Sequence, residues 1–166
     1  MTTRGVTNAI IAKLGADAQL LALLPNGVYR AGRAPEGSTA LVEVSLQSSS
    51  DAPMFGGRAS EDLRYLVQAI QQVRRGAVSN VGAAYARIET LLENQTLPAL
   101  TEAGVMIMQR TVYFEDDTDI DDRDPSLVWD HCGGIYQVMV TVASGVQPPP
   151  AWVQTDWIQS GWVQAS

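Results

Sequence analysis

The sequence has little of the chemistry on which many enzymes depend. Its 166 residues include one cysteine, Cys132, and one histidine, His131, which are adjacent. A single cysteine excludes a disulfide within the chain, and this pair alone supplies too few ligands for a closed zinc site. On a strand, the two side chains would point to opposite faces and could not converge on one substrate. The sequence therefore predicts no enzyme activity, no metal centre and no cofactor.

Long apolar runs and an excess of basic residues are also missing. Polar residues such as Asn8, Lys13 and Asp17 interrupt the first thirty positions, so neither a secretory signal nor a membrane-spanning segment is predicted. The formal net charge of −7 argues against a protein that grips nucleic acid, because backbone phosphates require a basic surface. All but one of the eleven basic residues are arginine, the cation suited to bidentate pairing at protein interfaces.

The negative charge is concentrated in one segment. Eight of the eighteen acidic residues lie between Glu115 and Asp130, and the stretch from Glu115 to Asp124 is predicted to be a solvated loop between two strands. In a ring of copies, such loops would form an acidic rim or lumen that DNA passes without being gripped. The candidates for that rim or lumen are Glu115, Asp116, Asp117, Asp119, Asp121, Asp122 and Asp124.

A calcium site is the alternative interpretation of this acidic segment. Asp117, Asp119 and Asp121 stand at alternate positions, as the first oxygen ligands of a calcium loop do. Asp122, however, occupies the place of the turn glycine, and Val128 stands where a bidentate glutamate should close the site. The three aspartates are therefore weak metal-ligand candidates, and the solvated acidic loop is the favoured interpretation.

The order of periodic segments predicts an α+β fold, with a mainly antiparallel sheet of about four strands packed against two main helices. A helix is predicted over 3–24, interrupted once and capped again by Asp17. A short extended piece at 28–30 leads to a strand over 40–46. A mobile hairpin loop is predicted from Ser48 to Gly57.

Residues 60–71 fit two patterns. One face of a helix would carry Leu63, Leu66, Val67 and Ile70, whereas one face of a strand would carry Leu63, Tyr65, Val67 and Ala69. The strand is favoured, mainly because of the family resemblance described below. The clearest helix is predicted over 79–97, ended by Pro98, and two strands over 104–115 and 131–142 flank the acidic segment.

The C-terminal residues are predicted to form an arm. A domain is expected over 1–145 and an arm over 146–166, because the prolines at 148–150 favour a stiff, extended linker. The arm repeats WVQTD, WIQSG and WVQAS, and this five-residue spacing puts successive tryptophans on different faces of a helix or strand. Each tryptophan and the residue after it are predicted to anchor in a pocket on another subunit; the chain's own domain, or no role, are the alternatives. These interface candidates are Trp152, Val153, Trp157, Ile158, Trp162 and Val163.

Several stretches resemble the tail-completion or tail-terminator family of long-tailed bacteriophages and related particles. In LLPNGVYRAGRAPEG, Val28-Tyr29 and the residues 34–37 look like the family's loop after the first helix. The similarity continues in DLRYLVQAI, in GAAYARIETLLENQ and in the strand that begins at Gly134, and it covers residues 8–143. The acidic segment is denser than is usual for the family, and the tryptophan pentads have no counterpart there.

The resemblance implies a structural virion protein. Members of the family form a ring, expected here to be a hexamer, on the last ring of tail-tube subunits. The ring ends tail polymerisation and offers a surface to the head-tail connector. The implied partners are further copies of the chain, the tail-tube protein and the connector, within a virion assembled in the host cytoplasm. The alternatives are a head-completion or connector protein of the neck and, in another class, a calcium- or ligand-binding module.

Overall fold

One five-stranded sheet organises the described part of the chain. The computed structural model describes residues 3–54, 57–97 and 105–141. Their helices and strands are α1 (Thr3–Gly15), α2 (Ala18–Leu23), β1 (Val28–Arg30), β2 (Ala40–Met54), β3 (Gly57–Arg74), α3 (Val81–Leu92), β4 (Val105–Ile120) and β5 (Leu127–Thr141). The strand order is β1-β2-β3-β5-β4, with β1 parallel to β2 and the other pairs antiparallel. The predicted α+β class is confirmed, with β1 as a fifth strand and α2 as a short third helix.

The ambiguous stretch at 60–71 lies within β3, so the strand interpretation is confirmed. Alternation decides its structure: Leu63, Tyr65, Val67 and Ala69 all have 0% exposure and face the helices. A helix would have placed Leu66 beside Leu63, whereas in β3 the two side chains lie on opposite faces of the sheet.

All three helices pack on the same face of the sheet as these residues. The helical side chains in the core share near-complete burial and are Val6, Ile10, Leu14, Leu20, Val81, Ala84, Tyr85, Ile88 and Leu92. The buried hydroxyl groups of this layer pair across elements. Thr7 Oγ1 lies 3.2 Å from the Tyr65 hydroxyl, and the Tyr136 hydroxyl lies 3.3 Å from that of Tyr85. The core therefore buries these hydroxyl groups without leaving them unsatisfied.

Asp17 lies at the break between α1 and α2 and links this break to α3. Its Oδ1 accepts the Leu20 N–H at 2.8 Å, which is the predicted N-cap of α2. Its carboxylate also accepts two bonds from Arg87 of α3, from Nε at 3.1 Å and from Nη2 at 2.6 Å. The Arg87 guanidinium, and then the Leu20 N–H, hold the pKa of Asp17 below its ordinary value of 3.8.

Two predicted segments outside the acidic segment differ from the structure. The hairpin loop predicted from Ser48 to Gly57 is strand for most of its length, because β2 continues to Met54 and β3 begins at Gly57. The serines still form backbone pairs, such as Ser50 with Asp62, and a ladder of this kind does not require apolar side chains. Helix α3 ends at Leu92, five residues before the predicted end, and Asn94 then adopts a left-handed φ of 54°.

Candidate functional site

The acidic segment is mainly strand, which corrects the prediction of a loop from Glu115 to Asp124. β4 continues to Ile120, and only residues 121–126 form the turn before β5. β5 supplies backbone partners for the acidic residues, so that Asp117 pairs with His131 and Asp119 pairs with Trp129. Acidic residues are compatible with this strand because every second side chain of an edge strand can point into solvent while the backbone hydrogen bonds to β5 are kept.

Asp121 is a structural residue of the turn. Its Oδ1 accepts the Arg123 N–H at 2.8 Å, and its Oδ2 accepts the Gln72 side-chain amide at 2.6 Å and the Trp129 indole N–H at 3.2 Å. The Arg123 N–H is the largest cause that lowers the pKa of Asp121, followed by the two side-chain donors. Asp121 is therefore not the freely solvated carboxylate that the sequence predicted.

The turn's other aspartates differ in what they bind. The hydroxyl and N–H of Ser126 lower the pKa of Asp124, whose Oδ1 accepts that N–H at 2.9 Å. Asp122 is exposed and forms no hydrogen bond or ion pair with the residues that the structure describes. Asp119 is 74% exposed, and its Oδ2 lies 3.8 Å from His131 Nε2. Asp119 and Asp122 are thus the carboxylates that this end of the molecule presents to solvent.

The structure separates the two calcium candidates whose side chains it describes, Asp119 and Asp121. Asp119 Oδ2 lies 3.8 Å from His131 Nε2, whereas Asp121 Oδ2 turns toward Trp129 and Gln72. The side chain of Asp117 lies outside the described residues, and the two described carboxylates do not converge on one point. Among the side chains that the structure describes, in 4–50, 61–97 and 118–140, no cluster of three His, Cys, Asp or Glu is arranged to hold a metal.

His131 and Cys132 lie on opposite faces of β5, as predicted. Cys132 is 1% exposed in the helix-covered core, whereas His131 is half-buried on the other face beside Asp119. The thiol and the imidazole therefore cannot act on one substrate within a single copy.

Some predicted residues lie outside what the structure describes. Glu115, Asp116 and Asp117 belong to β4, but only their backbone is described. The six arm residues predicted as interface anchors, from Trp152 to Val163, follow the last described residue, Thr141. Their role stays a prediction.

Sequence reasoning missed an arginine cleft between α1 and the β1 edge of the sheet. The cleft has a volume of about 280 Å³, and its lining residues are Arg4, Thr7, Arg30, Ala31, Ser45 and Leu46. The only sequence signal was the high proportion of arginine, because residues 4, 30 and 45 become neighbours only when β1 pairs with β2 and α1 packs over both. Among the described residues, no helix is long and apolar enough to cross a membrane.

Fold and site together define a class: an α+β domain with helices on one face of a sheet and charged surfaces at opposite edges. No family model matches the chain, and no curated protein matches it. Among solved structures, the chain is similar to a chain of the "Virion of native gene transfer agent (GTA) particle". The two share 16% sequence identity over 81% of this chain and 94% of that chain, with a TM-score of 0.57. At this identity, the likeness concerns the fold.

Proposed function

We propose that this chain is a structural virion protein that caps a tail tube as a hexameric ring. The ring ends tail assembly and forms the tail side of the head-tail junction, and DNA passes through it without specific binding. Its partners are copies of itself, the tail-tube protein and the head-tail connector. The protein acts in the virion, after assembly in the host cytoplasm, and catalyses no reaction.

The observation that carries this proposal is the fold that the chain shares with a virion component. The alignment covers 94% of that component, so the likeness extends over its whole domain and not over a common substructure. The stretches that resemble the tail-terminator family lie in regular elements of this fold. VYR forms β1, DLRYLVQAI lies in β3, and GAAYARIETLL lies in α3. These stretches support the finer assignment to the tail end.

A ring also suits the charge distribution. β1 and β4 are the two edge strands of the described sheet, and the arginine cleft lies near the first. At the end of the second lies the acidic turn, by which we mean Asp119 and Ile120 of β4 together with residues 121–126. A contact between two different surfaces of neighbouring copies is heterologous, and it closes into a ring when the rotation between copies allows. A subunit with unlike edges favours that kind of contact over a two-fold dimer.

We further propose that the C-terminal arm attaches each subunit to its neighbour or to the adjoining ring. The described core extends from Val6 to Val140, so a chain ending at residue 146 retains every core residue that the structure describes. Deletion of 147–166 is expected to leave thermal unfolding unchanged and to weaken assembly. Replacing Trp152, Trp157 and Trp162 by alanine in the full chain should weaken assembly as the deletion does. A large loss of thermal stability on deletion would instead show that the arm belongs to the core.

The test of function is addition of the purified protein to growing tail tubes of the same particle. Negative-stain imaging should reveal rings on one end of each tube, and tube length should stop increasing. Purified connector complexes are incubated in parallel. Binding to connectors without binding to tubes would favour the head-completion alternative. A protein that binds neither tubes nor connectors would contradict a role in the neck.

A further inference from the structure

The arginine cleft has unpaired cationic side chains. Arg4 and Arg30 are exposed, and neither guanidinium group forms a hydrogen bond or an ion pair with any side chain that the structure describes. Arg4 belongs to α1 and Arg30 ends β1, so they approach the cleft from two different elements. Because the two guanidinium groups come from different elements and line one cleft, a single anionic group can contact both of them.

The remaining lining residues carry no charge. Thr7, 5% exposed, anchors the floor because it contacts the Tyr65 hydroxyl at 3.2 Å. Ser45 contributes a hydroxyl group to the lining, and Leu46, which is 40% exposed, contributes an aliphatic side chain. The nearby carboxylate of Glu43 is engaged elsewhere, since it accepts the Gly32 N–H at 3.4 Å. The buried Glu61 carboxylate and the Arg30 guanidinium both lie near enough to Tyr65 to act on its pKa, in opposite directions, but Glu61 does not line the cleft. The lining is thus open and carries two cations and no anion.

A carboxylate is the group that this site fits. The guanidinium group is a planar fork that binds a carboxylate through two parallel N–H···O bonds. A side-chain carboxylate on a neighbouring protein is also small enough for a cleft of about 280 Å³. The chain carries such groups in excess, because its acidic residues outnumber its basic ones by eighteen to eleven.

We propose that the arginine cleft binds the acidic turn of a neighbouring copy, through Asp119 and Asp122. These are the carboxylates that the turn presents to solvent, whereas Asp121 and Asp124 are bonded within it. The cleft lies near the β1 edge and the turn follows β4, the opposite edge strand. Each copy therefore offers one cleft and one turn, and a head-to-tail row of copies fills every cleft.

This inference rests on the proposed ring and identifies its interface. It also gives Asp119 and Asp122 a place other than the lumen predicted from the sequence. Carboxylates that lined a lumen would face away from the neighbouring subunit, and their reversal would leave association between subunits intact.

The test is a charge swap in the full-length protein. One variant combines Arg4→Glu with Arg30→Glu, and the other combines Asp119→Lys with Asp122→Lys. In each variant alone, the cleft and the turn have the same sign of charge and repel. In an equimolar mixture, every cleft meets a turn of opposite sign if the two variants alternate around the ring. Sedimentation velocity measures association at about 0.1 M and about 1 M salt, where the Debye length falls from about 10 Å to about 3 Å.

We expect wild-type copies to associate at the lower salt and each variant to associate at least about tenfold more weakly, since close interfacial charge pairs commonly contribute that much. The mixture should recover most of the lost affinity. Arg33→Glu with Arg75→Glu makes the same change in net charge at exposed arginines outside the cleft, and it should associate like the wild type. Circular dichroism verifies that each variant is folded.

Two results would overturn the inference. A mixture that stays as dissociated as its separate components would show that these charges do not meet. A wild-type protein that is monomeric at both salt concentrations would show that a second copy is not the occupant. If either glutamate or lysine variant fails to fold, the milder Arg4→Gln, Arg30→Gln and Asp122→Asn substitutions should weaken association and reduce its salt dependence. Unchanged association in all three would contradict the inference.

The outcome is separable from the proposed function. Tube capping is assayed on the same samples, so a mixture that recovers rings but ignores tubes would support the interface and contradict the capping role. A wild-type protein that caps tubes, while the variants cap them equally well, would contradict the interface and leave the capping role standing.

Discussion

The two faces of the sheet come from the same strands but differ in what they bury. On the helix-covered face, Leu63 and Tyr65 are fully buried, with 0% exposure. On the other face of β3, Leu66 and Gln68 are half-buried, and no described helix packs over them. Ile70 is an exception, since it is 7% exposed on this second face.

The contrast indicates which part of the molecule holds the fold together. Burial of apolar area is the dominant favourable term in folding, and it is concentrated on the helix-covered face. The second face and the sheet edges contribute less, so their side chains can vary in charge and size without unfolding the domain. Surfaces of that kind are where contacts with other subunits can be placed, and the arginine cleft and acidic turn both lie at edges.

A matched pair of substitutions on β3 gives the largest expected difference between the faces. Leu63→Ala should lower the free energy of unfolding by about 2–5 kcal/mol, because a fully buried leucine leaves a cavity. Leu66→Ala, three residues later on the half-buried face, should cost about 1 kcal/mol or less. Urea unfolding followed by circular dichroism measures both. Equal losses would mean that the second face is as important to stability as the first.

The second face should nevertheless be sensitive at Gly133. A Cβ at this position would lie 2.7 Å from the Gln68 Cβ and 2.9 Å from the Val67 carbonyl oxygen. Gly133→Ala should therefore cost about 1–3 kcal/mol by overpacking, visible as a lower midpoint in urea. The control is Gly82→Ala in α3, where a Cβ meets nothing within 4 Å and helix propensity should add about 0.5–1 kcal/mol of stability. A neutral Gly133→Ala variant would show that β3 and β5 can separate without cost.

On the helix-covered side, acid should weaken the link between Asp17 and Arg87. The folded-state pKa of Asp17 lies below its ordinary value of 3.8, so its contribution is present above that value and is lost as pH falls through the lower, folded pKa. Asp17→Asn keeps a side chain that can cap α2 but removes the charge, and it should lower stability by about 1 kcal/mol at pH 7. Chemical unfolding at a series of pH values should then show a shallower acid dependence for the variant. Glu36→Gln, at an exposed residue whose side chain has no described partner, is the control and should leave the curve unchanged.

An effect of similar, small size is expected at Trp129. Trp129→Phe keeps a large ring on the second face but removes the indole N–H that bonds Asp121 Oδ2 at 3.2 Å. Asp121 retains its bonds from Arg123 and Gln72, so the loss should be about 0.5–1.5 kcal/mol. Thermal unfolding measures it. A larger loss would indicate that the turn depends on the indole itself.

Local patterns predicted much of the helix-covered core from the sequence. The helix predicted over 79–97 rests on the 3.6-residue spacing of apolar residues such as Val81, Ala84 and Ile88, which are all buried in α3. The N-cap at Asp17 was predicted from its position before an apolar run. In β3, alternation alone did not distinguish a strand from a helix, because Leu63 and Val67 fit both patterns. The strand was favoured only together with the family resemblance.

Polar strands and the charged surfaces were harder to predict. Ser48 to Met54 and Glu115 to Ile120 are strands because their backbones pair with neighbours distant in sequence, and their composition resembles that of loops. The arginine cleft depends on the same kind of contact, since Arg4 and Arg30 meet only after α1, β1 and β2 have packed together. No local pattern marks which arginine is left without a partner.

The most direct test of the central proposal is the mass of the purified full-length protein in solution, measured by light scattering, with negative-stain imaging beside tail tubes. We predict closed rings, with the mass of several 17.9 kDa subunits, and rings on tube ends. A protein that stays a 17.9 kDa monomer and leaves tube ends bare would contradict the account.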